Sequence, residues 1–199
     1  MVKQKRRRPA GDSLRQPLRL IGGQWRGRKL NLPLCEGLRP TGDRIRETLF
    51  NWLAGHLTGA VVADLYAGSG ALGLEALSRG AASATFCERD PAAVKALAEN
   101  LALLGASGGR LQHIDAIGWL QHSDIAAPLE IVFIDPPFTA NLWQPSIDAL
   151  SARAWLAEGA AIYIEAGSDS VFQVPDSWQL HREKRSGAVC YRLYFYHPK

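Results

Sequence analysis

The sequence predicts an α/β fold in which a mostly parallel sheet is covered by helices. From residue 43 onward, short apolar strand candidates alternate with segments of helical periodicity, as in a parallel sheet with crossover helices. The last two strand candidates, 178–184 and 188–196, have no helix between them and flank Ser186 and Gly187. Two such strands indicate an antiparallel hairpin at one edge of the sheet.

The remaining elements follow in order along the chain. Residues 18–21 and 29–32 are extended pieces around a glycine-rich turn, which predicts an N-terminal β-hairpin. A helix is predicted over 43–56, with Thr41 or Asp43 as its N-cap. Strands are predicted at 60–65, 84–88, 110–114, 131–134 and 160–165, and helices at 72–79, at 91–104, shortly after Asp115 and at 143–150.

Length and charge predict one domain with a basic appendage. The 199 residues suffice for a single α/β domain, which we place at 18–199, with a hairpin extension at 18–42 and a core at 43–199. Residues 1–17 are polar, basic and aperiodic, which predicts a flexible arm. The first 46 residues hold 13 Lys and Arg against three acids, whereas the net charge of the whole chain is +4. A basic arm on a mildly acidic body is typical of a protein with a polyanionic partner.

Two groups of residues are candidates for contact with a nucleic acid. In the arm these are Lys5, Arg6, Arg7 and Arg8. At the tip of the predicted hairpin, Trp25 stands beside Arg26 and Arg28, which suits stacking on a base together with phosphate contacts. Packing of Trp25 onto the domain is the structural alternative.

Composition excludes several other classes. No apolar run approaches the roughly 20 residues that span a bilayer, and no apolar segment follows the N-terminal charges, so we expect neither a membrane span nor a secretory signal. Three widely spaced cysteines favour reduced thiols and a cytoplasmic location. The histidines and cysteines lack metal-ligand spacing, so no metal site is expected. Nothing in the sequence demands more than a monomer.

The stretch from Ile131 to Phe138 is the most informative in the chain. Four apolar residues rich in β-branching predict a strand that is buried on both faces. Pro136 and Pro137 then end the strand, because neither has an N–H to donate. Asp135 and the carbonyl beside the prolines are acceptors for both hydrogens of an exocyclic amine, and the phenylalanine ring is a stacking surface for a planar base. An ordinary Asp-Pro turn is the structural alternative.

A glycine-rich loop follows the first core strand. Gly68, Gly70 and Gly73 fit the spacing G-x-G-x-x-G between a strand and a helix, and Glu88 ends the next strand, 20 residues beyond Gly68. This pattern is typical of dinucleotide sites, in which the acid binds ribose hydroxyls. The same loop also suits other cofactors that contain adenosine.

Acids at three successive strand ends favour one of these cofactors. Asp64, just before the loop, suits a cationic ammonium better than a pyrophosphate, and Asp115 is placed to accept from an adenine amino group. With Glu88 on the ribose, they match S-adenosylmethionine, which has no phosphate. We also expect Tyr66 and Ala116, which adjoin the loop and the third acid, at this site. A strand-end cap or a helix N-cap is the alternative for each acid taken singly.

With these residues placed, the sequence resembles the class I S-adenosylmethionine-dependent methyltransferases of amino groups. It is most similar to the RsmD family, which methylates the guanine N2 amine in 16S ribosomal RNA of the small subunit. The resemblance covers nearly the whole chain from Leu18. It is carried by residues 21–30, 39–51 and 64–81 and by Asp-Pro-Pro-Phe at 135–138, of which the first two blocks are the specific ones.

The resemblance implies a Rossmann-like sheet of seven strands with the last strand antiparallel. It implies cofactor contacts at Asp64, Gly68, Gly70, Glu88 and Asp115. It further implies that Arg39 and Thr41 close the cofactor pocket and that Asp135 to Phe138 form the base pocket. Ribosomal RNA, naked or within an assembled small-subunit particle, is the implied partner. Related adenine-N6 and glutamine methylases often carry Asn at the position of Asp135, but an ionisable residue suits an amine that must shed a proton.

Three other functions remain compatible with parts of the sequence. An adenine-N6 methyltransferase of DNA or RNA shares every motif except the N-terminal blocks. An NAD-linked oxidoreductase needs a hydride-handling Tyr-Lys or His pair, which we do not find in the sequence. A non-catalytic RNA-binding assembly factor keeps the basic arm and the hairpin but does not require Asp64, Glu88 and Asp115 together.

Overall fold

A computed structural model of the chain describes residues 18–31 and 42–198. The five α-helices of this part are α1 (Asp43–Trp52), α2 (Ala71–Ser78), α3 (Pro91–Leu104), α4 (Ala116–His122) and α5 (Trp143–Ser151). The strands are β1 (Val61–Asp64), β2 (Ser83–Glu88), β3 (Gly109–His113), β4 (Leu129–Ile134), β5 (Leu156–Gly167), β6 (Trp178–Ser186) and β7 (Val189–Tyr196). A short 3₁₀-helix, Phe138–Ala140, follows β4.

The seven strands form one sheet in the order β3-β2-β1-β4-β5-β7-β6. Strands β1 to β5 are parallel to one another, and β7 is antiparallel to both β5 and β6. The predicted fold class, with an antiparallel last strand, is therefore confirmed. Because the chain winds outward from β1 to β3 and then returns to β4, the carboxyl ends of β1 and β4 flank the switch point where open α/β sheets bind ligands.

Strand β4 lies at the centre of the molecule. Ile131 and Phe133 belong to the core on one face of the sheet, and Val132 and Ile134 belong to the core on the other face, each with no exposed area. The first core also contains α1 to α3, and the second contains α4 and α5. The prediction of a strand buried on both faces is confirmed.

Several predicted boundaries were wrong for local reasons. Helix α1 ends at Trp52 instead of residue 56, because the chain then turns through Gly55, whose φ is +93°. Its N-cap is Gly42; Asp43 lies in the first helical turn and accepts from Arg46. Strand β5 begins four residues before its predicted start, since Leu156 already pairs with the first residue of β4.

The N-terminal hairpin exists in a minimal form. Arg19 and Lys29 make a single antiparallel bridge, and longer strands do not form within the described residues. The backbone N–H of Ile21 donates to Glu75 on α2 (2.9 Å), and that of Asn31 donates to Asn100 on α3 (2.8 Å). These helix side chains replace the partners that a longer ladder would provide.

Candidate active site

The carboxyl end of β4 is followed by an acid and, two prolines later, an aromatic ring. Asp135 is half-buried and Pro136 is buried, whereas Pro137 and Phe138 are exposed. The Phe138 ring is 43% exposed and lies 5.8 Å from the ring of Trp143 on α5. Trp143 is itself fixed, because its indole N–H donates to the Glu165 carbonyl at 2.8 Å. Phe138 thus has support on one side and solvent on another, as a stacking platform for a base requires.

The glycine loop has the geometry that its spacing predicted. Gly68 and Gly70 have φ values of +52° and +79°, where side chains with a Cβ are strained, and Gly70 caps the N-terminus of α2. A Cβ on Gly73 would lie 2.3 Å from the ring of Phe86 on β2, so helix and sheet pack too closely for any larger residue. The loop therefore brings the helix N-terminus against the end of β1.

Glu88 braces this loop. One carboxylate oxygen accepts from the Gly68 N–H at 2.8 Å, and the other accepts from the Asp90 N–H at 2.7 Å. The side chain is half-buried, and each oxygen has a second lone pair that can accept from a ribose hydroxyl. Glu88 can therefore hold the loop and a ribose at the same time.

Asp64 is the buried acid of the site. It is 2% exposed, and its carboxylate accepts from the Gly73 N–H at 2.9 Å. Burial, opposed by the backbone hydrogen bond from Gly73 and assisted by the charge of Glu88, raises the pKa of Asp64 to about 7. Among the described residues neither acid forms an ion pair, and both accept hydrogen bonds from backbone N–H groups instead. A cationic group of a ligand is stabilised at such a place.

We predict that Asp64→Asn stabilises the protein without ligand, and more so at pH 8 than at pH 5. Between about pH 4 and pH 7, folded Asp64 keeps a proton that the unfolded chain has released, so stability falls as pH rises through this window and then levels off. Asn retains an acceptor for Gly73 and does not ionise. The gain at pH 8 is on the order of 4 kcal/mol at most.

Urea unfolding of both proteins at the two pH values measures this gain. The comparison between variants cancels the titration of all other groups. An equal difference in unfolding free energy between the two proteins at pH 5 and pH 8 would contradict the burial of an ionised Asp64.

Asp115 and Tyr66 have structural partners within the site. Asp115 is the N-cap of α4, is exposed, and accepts from the Gly118 N–H at 2.8 Å. Ala116, the first residue of that helix, is buried. The Tyr66 hydroxyl is hydrogen-bonded to the Ser146 hydroxyl on α5, and burial raises the pKa of Tyr66. Tyr66 thus links the loop after β1 to α5, and the Asp115 carboxylate retains lone pairs for a ligand.

Glu165 was missed by the sequence reasoning. It is 5% exposed and accepts from the Tyr163 hydroxyl at 2.7 Å. Since Ile134 pairs with Ile164, Glu165 occupies the position on β5 beside Asp135. Burial, followed by the charges of Glu165 and Asp135, raises the pKa of Tyr163 well above its usual range. The rule that selected the other strand-end acids would also have selected this one.

Of the remaining predicted residues, only those of the hairpin belong to the described part of the chain. Arg39, Thr41, Lys5, Arg6, Arg7 and Arg8 lie outside the described residues. The hairpin tip sits at the far end of α2, where the Trp25 N–H donates to the Ser78 hydroxyl at 3.0 Å, about 12 Å along the helix from the glycine loop. The Trp25 side chain packs against the core, and Arg28 donates to the Leu103 carbonyl. Arg26 is exposed.

The described residues contain neither a metal-binding cluster nor a membrane-spanning helix. Within them, no group of three or more His, Cys, Asp or Glu side chains is arranged to hold a metal ion. None of the described helices has the length and apolar character needed to cross a bilayer.

Comparison with known proteins shows which family the chain belongs to. The family model described as Conserved hypothetical protein 95 matches residues 18–195. The chain is 51% identical over 178 residues to ribosomal RNA small subunit methyltransferase D of Escherichia coli K12, covering 89% of each protein. It is 43% identical over 179 residues to the protein of the same name from Haemophilus influenzae, covering 89% of this chain and 93% of the relative.

Solved structures share the fold. The yhhF structure from Escherichia coli superposes with a TM-score of 0.83 at 49% identity, covering 92% of this chain and 99% of that chain. An RNA methyltransferase from Salinibacter ruber in complex with S-adenosyl-L-homocysteine superposes with a TM-score of 0.61 over 81% of this chain and 95% of that one. At 19% identity the second likeness concerns the fold alone.

Proposed function

Because the chain belongs to the Conserved hypothetical protein 95 family, we propose that it is an S-adenosylmethionine-dependent methyltransferase of 16S ribosomal RNA. The resemblance to the RsmD family is confirmed by these matches, and the class I methyltransferase fold is confirmed by the sheet order and the solved structures. We further propose that the acceptor is the exocyclic N2 amine of a guanine.

The cofactor assignment is supported by the charge and shape of the loop after β1. Asp64 and Glu88 supply negative potential with no ion-pair partner among the described residues, which fits a cofactor that carries an ammonium and a sulfonium. Gly68 and Gly70 have no side chains, which leaves room for the cofactor beside the loop. We assign the ammonium to Asp64, the ribose to Glu88 and the adenine amine to Asp115. The cofactor supplies an electrophilic methyl group when bound.

The base pocket is assigned to the residues after β4. Asp135 accepts one N–H of the amine, and the carbonyl of Pro136 accepts the other. Both hydrogen bonds favour a more tetrahedral nitrogen, whose lone pair is no longer delocalised into the ring and can attack the methyl group. Holding the amine in this orientation supplies most of the catalytic effect. Phe138 stacks on the extruded base, which offsets the few kcal/mol that extrusion costs.

One observation carries this proposal: an exposed aromatic ring, supported by Trp143, follows a half-buried acid at the switch point of the sheet. The test uses unmodified 16S ribosomal RNA, both free and in small subunits, with S-adenosylmethionine carrying a labelled methyl group. We expect the label in N2-methylguanosine after digestion to nucleosides. Label in N6-methyladenosine would establish the adenine alternative, and absence of label would favour a non-catalytic RNA-binding factor.

We also propose where the protein acts, in which oligomeric state, and which further residues contact its ligands. We place it in the cytoplasm, where ribosomal subunits are assembled, and we expect a monomer to act. The basic arm (Lys5, Arg6, Arg7 and Arg8) is proposed to bind RNA, as are the exposed hairpin arginines, which lie away from the catalytic edge. Arg39 and Thr41 are proposed to close the cofactor pocket.

A further inference from the structure

Strand β6 forms the open edge of the sheet and is strongly basic. Every residue after Trp178 in this strand is exposed. It carries Arg182, Lys184 and Arg185, with one acid, Glu183, among them. Lysines on edge strands commonly prevent unwanted strand pairing, and that role sets no requirement on where along the strand the charges lie.

The charge of this strand is not neutralised locally. Glu183 is paired with Arg192 of β7, whose side chain donates to it at 2.6 Å. This hydrogen bond lowers the pKa of Glu183, and the charge of Arg185 contributes in the same direction. Arg182, Lys184 and Arg185 form no ion pair within the described part of the chain. Three exposed cations are therefore left to face solvent or a partner.

The register places these cations in line with the catalytic residues. Lys184 pairs with Tyr191, and Tyr191 pairs with Glu165. Glu165 is in turn the neighbour of Asp135, one position beyond the last pair of β4 and β5. Lys184 and Asp135 therefore stand in one row across the sheet, three strand spacings or about 14 Å apart.

A β-bulge decides which face of the sheet Arg182 and Lys184 share. The register between β6 and β7 shifts between Leu180 and Arg182, so that Arg182 lies opposite Leu193 and Lys184 opposite Tyr191. Leu193 and Tyr191 belong to the core that contains α1. Without the bulge, Arg182 would share the opposite face with Leu180. Ile131 and Phe133 of β4 belong to the same core, so alternation along the strand places Asp135 toward the same side of the sheet as the two cations.

We propose that Arg182 and Lys184, assisted by Arg185, bind the phosphate backbone of the substrate RNA beside the nucleotide held at Asp135. This inference rests on the proposed function and adds a second contact surface at the catalytic edge. Phosphates on that path would pass the paired Glu183 and meet the unpaired cations, which suits RNA better than an apolar partner. The contacts position the RNA and carry no base specificity.

The test compares two double variants that each remove two exposed positive charges. Arg182→Ala with Lys184→Ala removes the proposed contacts. Lys95→Ala with Arg110→Ala removes exposed charges from α3 and from β3 at the opposite edge of the sheet. Filter binding of free 16S ribosomal RNA is measured with S-adenosylhomocysteine present over a range of salt, so that the readout does not require turnover. Calorimetric titration with S-adenosylmethionine and the thermal midpoint verify that each variant is folded.

We expect the β6 variant to bind RNA about tenfold more weakly and to show a log–log salt slope reduced by roughly 1.4 to 1.8, with the control variant unchanged. Equal affinity and slope for the two variants would overturn the proposal. Normal binding of free RNA with a loss confined to assembled small subunits would also overturn it, because β6 would then face a protein of the particle. Wild-type protein that binds RNA but transfers no methyl group would contradict the proposed function alone.

Discussion

Replacing Asp135 by Ala is expected to leave S-adenosylmethionine affinity unchanged and to lower kcat for RNA methylation by roughly 100- to 10,000-fold. Asp135 lies just beyond β4, whereas the acids assigned to the cofactor lie at the ends of β1 and β2 and just beyond β3. Its loss removes the acceptor that orients the amine and a group that can take its proton. Single-turnover methylation measures the rate, and calorimetry measures cofactor binding.

Two further variants make this result specific. Asp135→Asn keeps one acceptor oxygen and does not ionise at neutral pH, so an intermediate rate separates orientation of the amine from proton removal. Asp169→Ala removes an exposed acid from the loop after β5, near the same edge, and serves as the matched control. Full activity of Asp135→Ala would exclude the proposed role.

Replacing Glu75 by Ala is expected to cost about 3–5 kcal/mol of unfolding free energy. Glu75 and Arg46 are both fully buried, and their charged groups lie 3.7 Å apart. Glu75 also accepts from Arg79 at 2.7 Å and from the Ile21 N–H of the hairpin at 2.9 Å. Without it, Arg46 keeps the Arg19 carbonyl and Asp43, whose side chain is 67% exposed, and the hairpin loses a connection to α2.

Urea denaturation tests this prediction against an exposed pair of the same chemistry. Glu183→Ala breaks the Arg192 ion pair at the sheet edge and should cost about 1 kcal/mol or less. Glu75→Gln keeps an acceptor for Ile21 but loses the charge, so an intermediate loss is expected. A cost for Glu75→Ala as small as that of Glu183→Ala would mean that Arg46 is compensated elsewhere.

Much of the candidate site was predictable because its signals are local. Asp64 and Glu88 end apolar strands, and Asp115 follows the next one by two residues; the carboxyl ends of parallel strands share one edge. The glycine spacing likewise describes a single strand–loop–helix unit. The alternating helices and strands then implied the sheet, so the family, the fold and most residues of the candidate cofactor site were predictable from the sequence alone.

Contacts between distant segments could not be read in this way. Ile21 and Glu75 are 54 residues apart, and their hydrogen bond helps to dock the hairpin on α2, so that Trp25 lies far from the edge where Asp135 sits. The register of β4 and β5 positions Glu165 beside Asp135.

The sequence by itself determined which residues are candidates to bind a methyl donor and an amine, because residue type and spacing along one strand or loop fix that chemistry. Only the tertiary structure decided which surface we propose to face the substrate. The bulge before Arg182 moves two cations to the face of α1, and alternation counted from Trp178 would have placed Arg182 on the other face. A shift of one residue in strand pairing exchanges the two faces of a sheet, and that shift is set by long-range packing.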